Sequence, residues 1–348
     1  MPDKKKIDDW ISSRKKRLDS LTADELFPLI QKGDKQALSS AITLVESTNI
    51  DSQKEGRALI EKCTQLKPKS WRIGITGVPG VGKSTFIEAF GKIVLDAGHR
   101  LAVLAIDPSS NVSGGSILGD KTRMDWLSRQ ENAFIRPTAA GDNLGGVARN
   151  SRDALLLCES AGFDVVFVET VGVGQSETMV HDMVDYFLLL MLAGAGDELQ
   201  GMKRGIMELA DTLLITKADS GNEIKSDQAR REYANAVHLF PPKSSQWITN
   251  VLTTSSITGS GLDKAWQNIE SYFNQIISNG FYESNRMLQD SKFLKTNFTS
   301  LIINEIEGNK SLKKYLQNLE SEIREGKTSS TSAVEKLYQA YLTAIKNS

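Results

Sequence analysis

Residues 77–85 constrain the fold of this chain more than any other segment, because they read GVPGVGKST and match G-x-x-x-x-G-K-[ST] at every fixed position. Residues 71–76 before them have the composition of a short buried strand, and residues 86–95 after them have the apolar spacing of a helix. In this order of strand, glycine loop and helix, backbone amides and the positive end of the helix dipole face an anion. The sequence therefore predicts a site for the phosphates of a nucleoside triphosphate, and a glycine-rich turn that matches by chance is the weaker alternative.

The loop supplies most of the expected nucleotide contacts. Lys83 is expected to reach the terminal phosphates and to serve catalysis, while the Ser84 hydroxyl is expected to ligate the Mg²⁺ that accompanies them. The predicted phosphate-binding residues are Gly77, Val78, Pro79, Gly80, Val81, Gly82, Lys83, Ser84 and Thr85.

The composition of the chain argues against nucleic acids and membranes as partners. The formal net charge is −1 over 348 residues, with a pI near 6.4, so we expect no nucleic-acid or membrane partner. The longest apolar run, residues 187–193, is far shorter than the roughly 20 residues that span a bilayer, and it is typical of a buried strand. The N-terminal residues lack the apolar stretch of a secretory signal, and the two cysteines, Cys63 and Cys158, suit a reducing compartment. We therefore expect a cytoplasmic protein.

Three parts follow from the hydrophobic pattern. Residues 1–68 predict a helical N-terminal extension, residues 69–275 a nucleotide domain, and residues 276–348 a helical C-terminal arm. Short apolar strands that alternate with helices predict an α/β P-loop NTPase with a mostly parallel sheet covered by helices on both faces. Six strands are predicted, at residues 73–76, 101–106, 165–169, 186–192, 212–216 and 251–254. A helical arm outside the main domain usually packs on another copy of the same chain, so we expect a homodimer.

Carboxylates follow two of the predicted strands. Asp107 comes directly after residues 101–106, and Glu169 ends the next strand in a Glu-x-x-Gly segment whose glycine, Gly172, is expected to approach the γ-phosphate. Glu169 is expected to serve catalysis together with Lys83. Parallel strands present such residues at one sheet edge, where acids can hold the hydration shell of Mg²⁺. A turn-forming aspartate before Pro108 is the alternative for Asp107.

The base is expected to be read at the end of the strand at residues 212–216. Thr216, Lys217 and Asp219 resemble the Asn-Lys-x-Asp motif, in which the carboxylate accepts from the ring N–H and exocyclic amine of guanine. Adenine offers neither donor in that geometry, so a buried charge would be left unpaired. Thr216 in place of asparagine removes one amide contact. The loop that backs the base is expected to comprise Ser255, Ser256 and Ile257.

Two glycine-rich stretches, residues 112–120 and 194–205, leave strand ends beside this site. Mobile surface loops are one interpretation, and segments ordered by a γ-phosphate are the other. Asp120 is expected to join the Mg²⁺ shell when its loop closes. Gln175 does not directly follow Gly172, so no catalytic base is assigned from spacing.

Taken together, the segments at residues 77–85, 106–110, 119–124, 169–177 and 194–201 resemble the methylmalonyl-CoA mutase-associated GTPase family, whose members were formerly often labelled arginine/ornithine transport-system kinases. The resemblance implies a homodimeric GTPase of the same broad class as metal-insertion chaperones. It implies docking on an adenosylcobalamin-dependent acyl-CoA mutase, of methylmalonyl-CoA or a related substrate, and GTP-gated cofactor delivery and protection. The cobalamin is expected to be bound mostly by the partner, with no ligand from this chain.

Where its motifs match, the resemblance implies that phosphate and Mg²⁺ are bound by Lys83, Ser84, Asp107, Asp120 and Glu169. It implies that Asp219 recognises guanine. It makes residues 194–205 the loop that relays nucleotide state, and the relay residues are expected to be Asp197, Gln200 and Lys203.

Three other functions remain open from the sequence. A nickel-insertion GTPase would need Cys or His ligands, but the three histidines and two cysteines form no closely spaced group. A small-molecule kinase linked to amino-acid transport predicts ATP use, which Asp219 disfavours. A regulatory protein that holds GTP without hydrolysing it is the third.

Overall fold

The structure, a computed structural model, describes residues 21–106, 124–138, 144–170, 176–194 and 204–346. These residues form seven strands and thirteen helices. The strands are β1 (Trp71–Gly77), β2 (Leu101–Ile106), β3 (Ala133–Thr138), β4 (Val165–Thr170), β5 (Tyr186–Leu192), β6 (Thr212–Thr216) and β7 (Asn250–Thr253). The helices are α1 (Ala23–Gln31), α2 (Lys35–Glu46), α3 (Ile50–Gln65), α4 (Lys83–Asp96), α5 (Asp125–Ser128), α6 (Leu144–Ser160), α7 (Ser176–His181), α8 (Arg204–Leu209), α9 (Glu223–Val237), α10 (Leu262–Ser278), α11 (Phe281–Gly308), α12 (Lys310–Arg324) and α13 (Ser330–Lys346).

The strands form one sheet in the order β3-β2-β4-β1-β5-β6-β7, and every neighbouring pair is parallel. The predicted α/β fold is confirmed, with a sheet that is wholly rather than mostly parallel. Strands β2 and β4 are buried along their whole length, as expected of parallel strands covered on both faces. Strand β1 lies at the centre, with β4 and β5 on its two sides, so the loop that follows β1 opens at the middle of the sheet edge.

The prediction of six strands missed β3. Its sequence, AFIRPT, contains Arg136 and Pro137, which are unusual in a buried strand. Among the described strands, β3 lies at the edge of the sheet and pairs with β2 alone, and an edge position tolerates a residue without an N–H group. Arg136 is retained there because its guanidinium donates to Glu46 Oε2 of α2 over 2.9 Å.

Two hydrophobic layers cover the sheet. Helices α4 and α10 cover one face, where Trp71 of β1 stacks on Phe273 with ring centroids 4.5 Å apart. The other face is covered by helices α1, α2, α3, α6 and α9 together with α7 and α8. The predicted N-terminal helices thus contribute Leu26, Ile30 and Leu38 to the core of the nucleotide domain. Asp34 caps α2 by accepting from two backbone amides at 2.9 and 3.1 Å.

Buried ion pairs hold the edge of the sheet opposite the glycine loop. The Arg72 guanidinium donates twice to Glu159 at 2.7 Å, and Arg286 of α11 donates to both carboxylate oxygens of Asp185 at 2.9 and 2.7 Å. Burial alone would raise the pKa of Glu159, but the charges of Arg72 and Arg286 hold it below its usual value. These bonds fasten β1 to α6, and the first turns of α11 to the residue that precedes β5.

The chain forms two compact units, Met1–Gln289 and Asp290–Ser348. The first contains the whole sheet. The second consists of the rest of α11 with α12 and α13, where the apolar residues Leu312 and Leu319 of α12 are buried. Within the described residues, no helix combines the length and apolar character needed to cross a bilayer.

Candidate nucleotide site

The glycine loop connects β1 to α4 at the sheet edge where all strands end. Gly80 and Gly82 have positive φ values of 73° and 90°, a conformation that L side chains rarely adopt, and Gly82 is the N-cap of α4. A Cβ on Gly77 would lie 2.6 Å from the carbonyl oxygen of Leu190 in β5, so the loop passes too close to the sheet for any side chain there. Val78 and Val81 are buried, whereas Pro79 and Gly80 are exposed. The loop is therefore anchored at two points while its tip faces solvent.

Lys83 is the first residue of α4, and its ammonium donates to the carbonyl oxygen of Gly77 over 3.2 Å. Burial lowers the pKa of Lys83, and the negative charges of Glu169 and Glu177 partly oppose this effect. Ser84 follows in the first turn of α4 and is half-buried, and Thr85 is exposed. A cationic side chain and a hydroxyl thus stand at the N-terminus of a helix, where an anion is stabilised.

Glu169 lies at the same edge, on the strand next to β1. It is in register with Ile75 of β1, and its side chain is 4% exposed. Because side chains alternate along a strand, Glu169 faces the same layer as Phe167, which packs in the cluster that contains α4. The structure therefore places Glu169 close enough to Lys83 for its charge to act on the lysine.

Sequence reasoning gave no role to a second carboxylate, Glu177. This residue is in the first turn of α7 and is 1% exposed, and its charge acts on Lys83. Helix α7 lies close to β1 because Gly74 has no side chain: a Cβ there would lie 3.0 Å from Val180 of α7. Glu177 lies beyond the end of a strand, on a helix of six residues, and it belongs to no motif that would have indicated a role for it.

The end of β6 is bonded directly to the glycine loop. The Thr216 hydroxyl lies 3.0 Å from the carbonyl oxygen of Val81 and 3.2 Å from that of Met191, and both are acceptors. The Lys217 ammonium donates to the carbonyl oxygen of Gly80 over 2.8 Å, with Lys217 itself at φ 56°. Thr216 thus contacts the loop although it lacks the amide of the usual asparagine.

The predicted base-reading carboxylate, Asp219, is 9% exposed and is held by a neighbour. The buried Ser255 hydroxyl donates to Asp219 Oδ2 and accepts from the backbone amide of Thr258 over 3.0 Å. Ser256 is half-buried, and Ile257 is 79% exposed, at the surface of the same loop. The structure brings Asp219 and Ser255 together, with one carboxylate oxygen engaged by the serine.

Gly261 closes this second loop. It has φ 77°, and a Cβ on it would lie 2.2 Å from the carbonyl oxygen of Thr253, so only glycine fits at the start of α10.

Several predicted site residues lie outside the described residues. They are Asp107, Asp120, Gly172, Asp197, Gln200 and Lys203. Asp107 directly follows the last residue of β2 in sequence, and Gly172 follows β4 by two positions. Their assignments stay predictions.

The described part of the chain contains no group of three or more His, Cys, Asp or Glu side chains that could hold a metal ion. The histidines are dispersed over the fold: His99 Nδ1 lies 2.7 Å from Asp164 Oδ2, His181 ends α7, and His238 is the C-cap of α9.

Comparison with known proteins places this site in a family. A solved structure titled LAO/AO transport system kinase is similar over 91% of this chain and 96% of its own, with a TM-score of 0.75 and 33% identity. The fold is thus that of a P-loop nucleotide hydrolase.

Relatives in sequence span nearly the whole chain. A Caulobacter vibrioides protein is 48% identical over 322 residues, which cover 92% of this chain and 98% of that protein. GTPase ArgK of Escherichia coli is 42% identical over 86% of this chain and 90% of its own length. The mouse methylmalonic aciduria type A homolog is 39% identical over 91% of this chain and 79% of its own. Residues 38–311 match the family model described as methylmalonyl Co-A mutase-associated GTPase MeaB. With its phosphate loop and buried base-loop carboxylate in the expected order, the chain belongs to the MeaB family of GTPases.

Proposed function

We propose that this protein hydrolyses GTP to GDP and phosphate with Mg²⁺ and acts as the chaperone of an adenosylcobalamin-dependent acyl-CoA mutase. In this role it would gate cofactor loading and protect or reactivate the mutase. The observation that supports the proposed hydrolysis is that Thr216 and Lys217, in the predicted base-reading segment, are hydrogen-bonded directly to the glycine loop. The mutase partner rests on the family description.

The residues at the loop suit Mg²⁺. The Ser84 hydroxyl and the Glu169 carboxylate are hard oxygen donors at one edge of the sheet, of the kind that this ion prefers with water and phosphate oxygens. Asp107 and Asp120 are the further candidate ligands. When bound, the ion would neutralise the negative charge that develops on the phosphates.

The chain's own groups then have distinct tasks. The loop amides and the N-terminus of α4 bind the phosphates, and Lys83 exchanges its bond to Gly77 for the β- and γ-phosphate oxygens. Asp219 accepts from the ring N–H and the exocyclic amine of guanine, because the oxygen bonded to Ser255 keeps a second lone pair and the other oxygen remains available. Since Lys83 is half-buried, its charge is less screened than that of an exposed lysine and acts more strongly on the phosphates.

Two measurements test the hydrolysis. Calorimetry with GDP and ADP tests base choice, and phosphate release from GTP with Mg²⁺ or with excess chelator tests the metal requirement. We expect tight GDP binding, weak ADP binding and turnover only with Mg²⁺. Equal binding of GDP and ADP together with phosphate transfer from ATP to an amino acid would favour the kinase alternative. Nucleotide binding without turnover of GTP would favour the regulatory one.

The partner is tested in a native lysate and then with purified proteins. A cobalamin-dependent mutase should be captured on the immobilised protein to an extent that differs between GTP and GDP. Purified mutase should accelerate GTP turnover by an amount that, in GTPases with activating partners, reaches about 10³–10⁵-fold. Charge reversal at Asp197 or Lys203 should remove much of the stimulated rate and leave the intrinsic rate, whereas equal loss of both would place these residues in catalysis.

The homodimer is proposed from helix α11. Its second-unit portion exposes three apolar side chains on one face, Leu294, Phe298 and Leu301, at 69%, 62% and 58% exposure. Their spacing of four and three residues is that of an apolar helix stripe, and a second copy of the chain would cover it. Light scattering should show a dimer that L294E/F298E converts to a monomer, while the off-stripe control Lys295→Glu leaves it intact. A monomeric wild type would contradict this.

A further inference from the structure

Two buried threonines join the strand ends that lead into the candidate site. Thr76 directly precedes Gly77 at the end of β1, and Thr170 directly follows Glu169 at the end of β4. Their hydroxyl oxygens are 2.8 Å apart, with Thr170 donating to Thr76, and the two residues are 0% and 1% exposed. Neither residue belongs to the predicted phosphate, metal or base sets.

The pair lies on the opposite face of the sheet from Glu169 and α4. Ile75 and Glu169 are in register and face the layer of α4. Because side chains alternate, Thr76 and Thr170 face the opposite layer, which also contains Val180 of α7. The pair therefore stands behind Lys83 and Glu169, and we do not expect it to touch nucleotide.

The hydroxyl bond extends the pairing of the two strands by one residue. The register between β1 and β4 runs from Trp71 with Val165 to Ile75 with Glu169. At the next position β1 remains paired with β5 and β4 with β2. Within the described residues, the last link between β1 and β4 is thus the one between these two side chains.

Stability alone gives no reason for hydroxyls at these positions. Valine has nearly the same shape and is favoured in a buried strand. A buried hydroxyl costs free energy that its hydrogen bond only offsets, so replacing both partners by apolar groups of the same shape can be nearly neutral. The pair is better explained by the geometry that it imposes.

We propose that the Thr76–Thr170 pair is a positioning element for GTP hydrolysis, which fixes the spacing between the glycine loop and Glu169. This rests on the proposed GTPase function. Gly77 and Glu169 are the sequence neighbours of the pair, so a change in strand separation is transmitted directly to them. A misplacement of about 1 Å in a reacting group can cost on the order of 10²-fold in rate.

The test uses variants that separate shape from hydrogen bonding. Thr76→Val and Thr170→Val keep the shape and remove the bond, and Thr170→Ser keeps the hydroxyl. We expect each valine variant to lose about tenfold or more in kcat, with GDP affinity changed less than about threefold, and we expect serine to retain most of the rate.

Thr212→Val is the matched control. Thr212 is also a buried strand threonine with a hydroxyl bonded to Tyr186 and Asn268, but it begins β6 at the opposite sheet edge. This variant should lower Tm and leave kcat unchanged, which separates a loss of stability from a loss of positioning.

The double variant T76V/T170V decides between positioning and plain packing. With both hydroxyls gone, Tm should recover toward wild type, while kcat should stay low. Recovery of kcat together with Tm in the double variant, or a normal kcat in the single valine variants, would overturn the positioning role. Either result would leave the proposed GTPase function intact, because the wild type would still hydrolyse GTP. A wild type that binds GTP and does not hydrolyse it would instead refute the proposed function, and the role of the pair with it.

Discussion

Replacing Asp219 by asparagine is expected to change the preferred base from guanine to xanthine. The carboxylate is 9% exposed and one of its oxygens is engaged by the Ser255 hydroxyl, so its orientation is fixed. In the variant, an amide NH₂ would face the donors of guanine and leave them unpaired. Xanthine has a carbonyl where guanine has its exocyclic amine, and there the new NH₂ group would donate.

The magnitude follows from the kind of bond that is lost. A hydrogen bond to a charged group contributes about 1.5–3 kcal/mol, and an unsatisfied buried donor costs about 1–3 kcal/mol. A net loss of about 3 kcal/mol corresponds to roughly 150-fold weaker GDP binding. Ser255→Ala is the matched control, because it keeps the carboxylate and releases its orientation. We expect it to weaken GDP by about fivefold with no gain for xanthine.

Calorimetric titration of wild type, D219N and S255A with GDP, XDP and ADP measures both effects. The assignment of Asp219 would be wrong if D219N kept the affinity of wild type for GDP, or if wild type bound ADP as tightly as GDP. Loss of all three nucleotides in D219N would indicate a collapsed loop, and a lowered Tm would identify that case.

Three further outcomes are expected. Lys83→Ala should abolish GTP turnover and weaken GTP binding more than GDP binding in calorimetry, because the ammonium is placed for the terminal phosphates; retained turnover would contradict this. Glu177→Gln removes a negative charge that acts on Lys83, so GTP should bind about three- to tenfold more tightly, and weaker binding would show a structural role instead. Burial raises the pKa of Asp153, in α6, from 3.8 to about 6, so the protonated carboxyl favours the folded state. This contribution to the free energy of unfolding is complete below pH 4 and is lost as the pH rises through 6. Relative to wild type, Asp153→Asn should gain up to about 2 kcal/mol in the free energy of unfolding between pH 4 and 7, by urea titration, and a pH-independent difference would refute it.

The sequence predicted the parts of this structure that depend on local chemistry. The glycine loop requires particular residues at fixed spacing, and the positive φ of Gly80 and Gly82 shows the reason. Buried parallel strands are continuous apolar runs, so five of the six predicted strands fall within one residue of their observed bounds and the sixth, β1, extends beyond its prediction. Strand β3 was missed because an edge strand does not need to be apolar throughout, and Arg136 is paired with a helix that is distant in sequence.

The features that the sequence could not give depend on tertiary packing. Glu177 has its place beside Lys83 because Gly74 lets α7 approach the sheet. The bond between Thr76 and Thr170 joins residues 94 positions apart. No local pattern indicates either relation, since each arises from the order in which the strands are arranged.

Thr216 departs from the usual motif, but in the folded chain its hydroxyl makes a contact of its own. Judged by the motif alone, threonine in place of asparagine loses an amide contact. In the structure its hydroxyl reaches the carbonyl oxygen of Val81, while Lys217 reaches that of Gly80. A shorter side chain can make this contact because β6 lies only one strand away from β1, across β5. The glycine loop and the predicted base-reading segment are therefore joined by hydrogen bonds. We expect a substitution in either segment to affect the binding of both ends of the nucleotide.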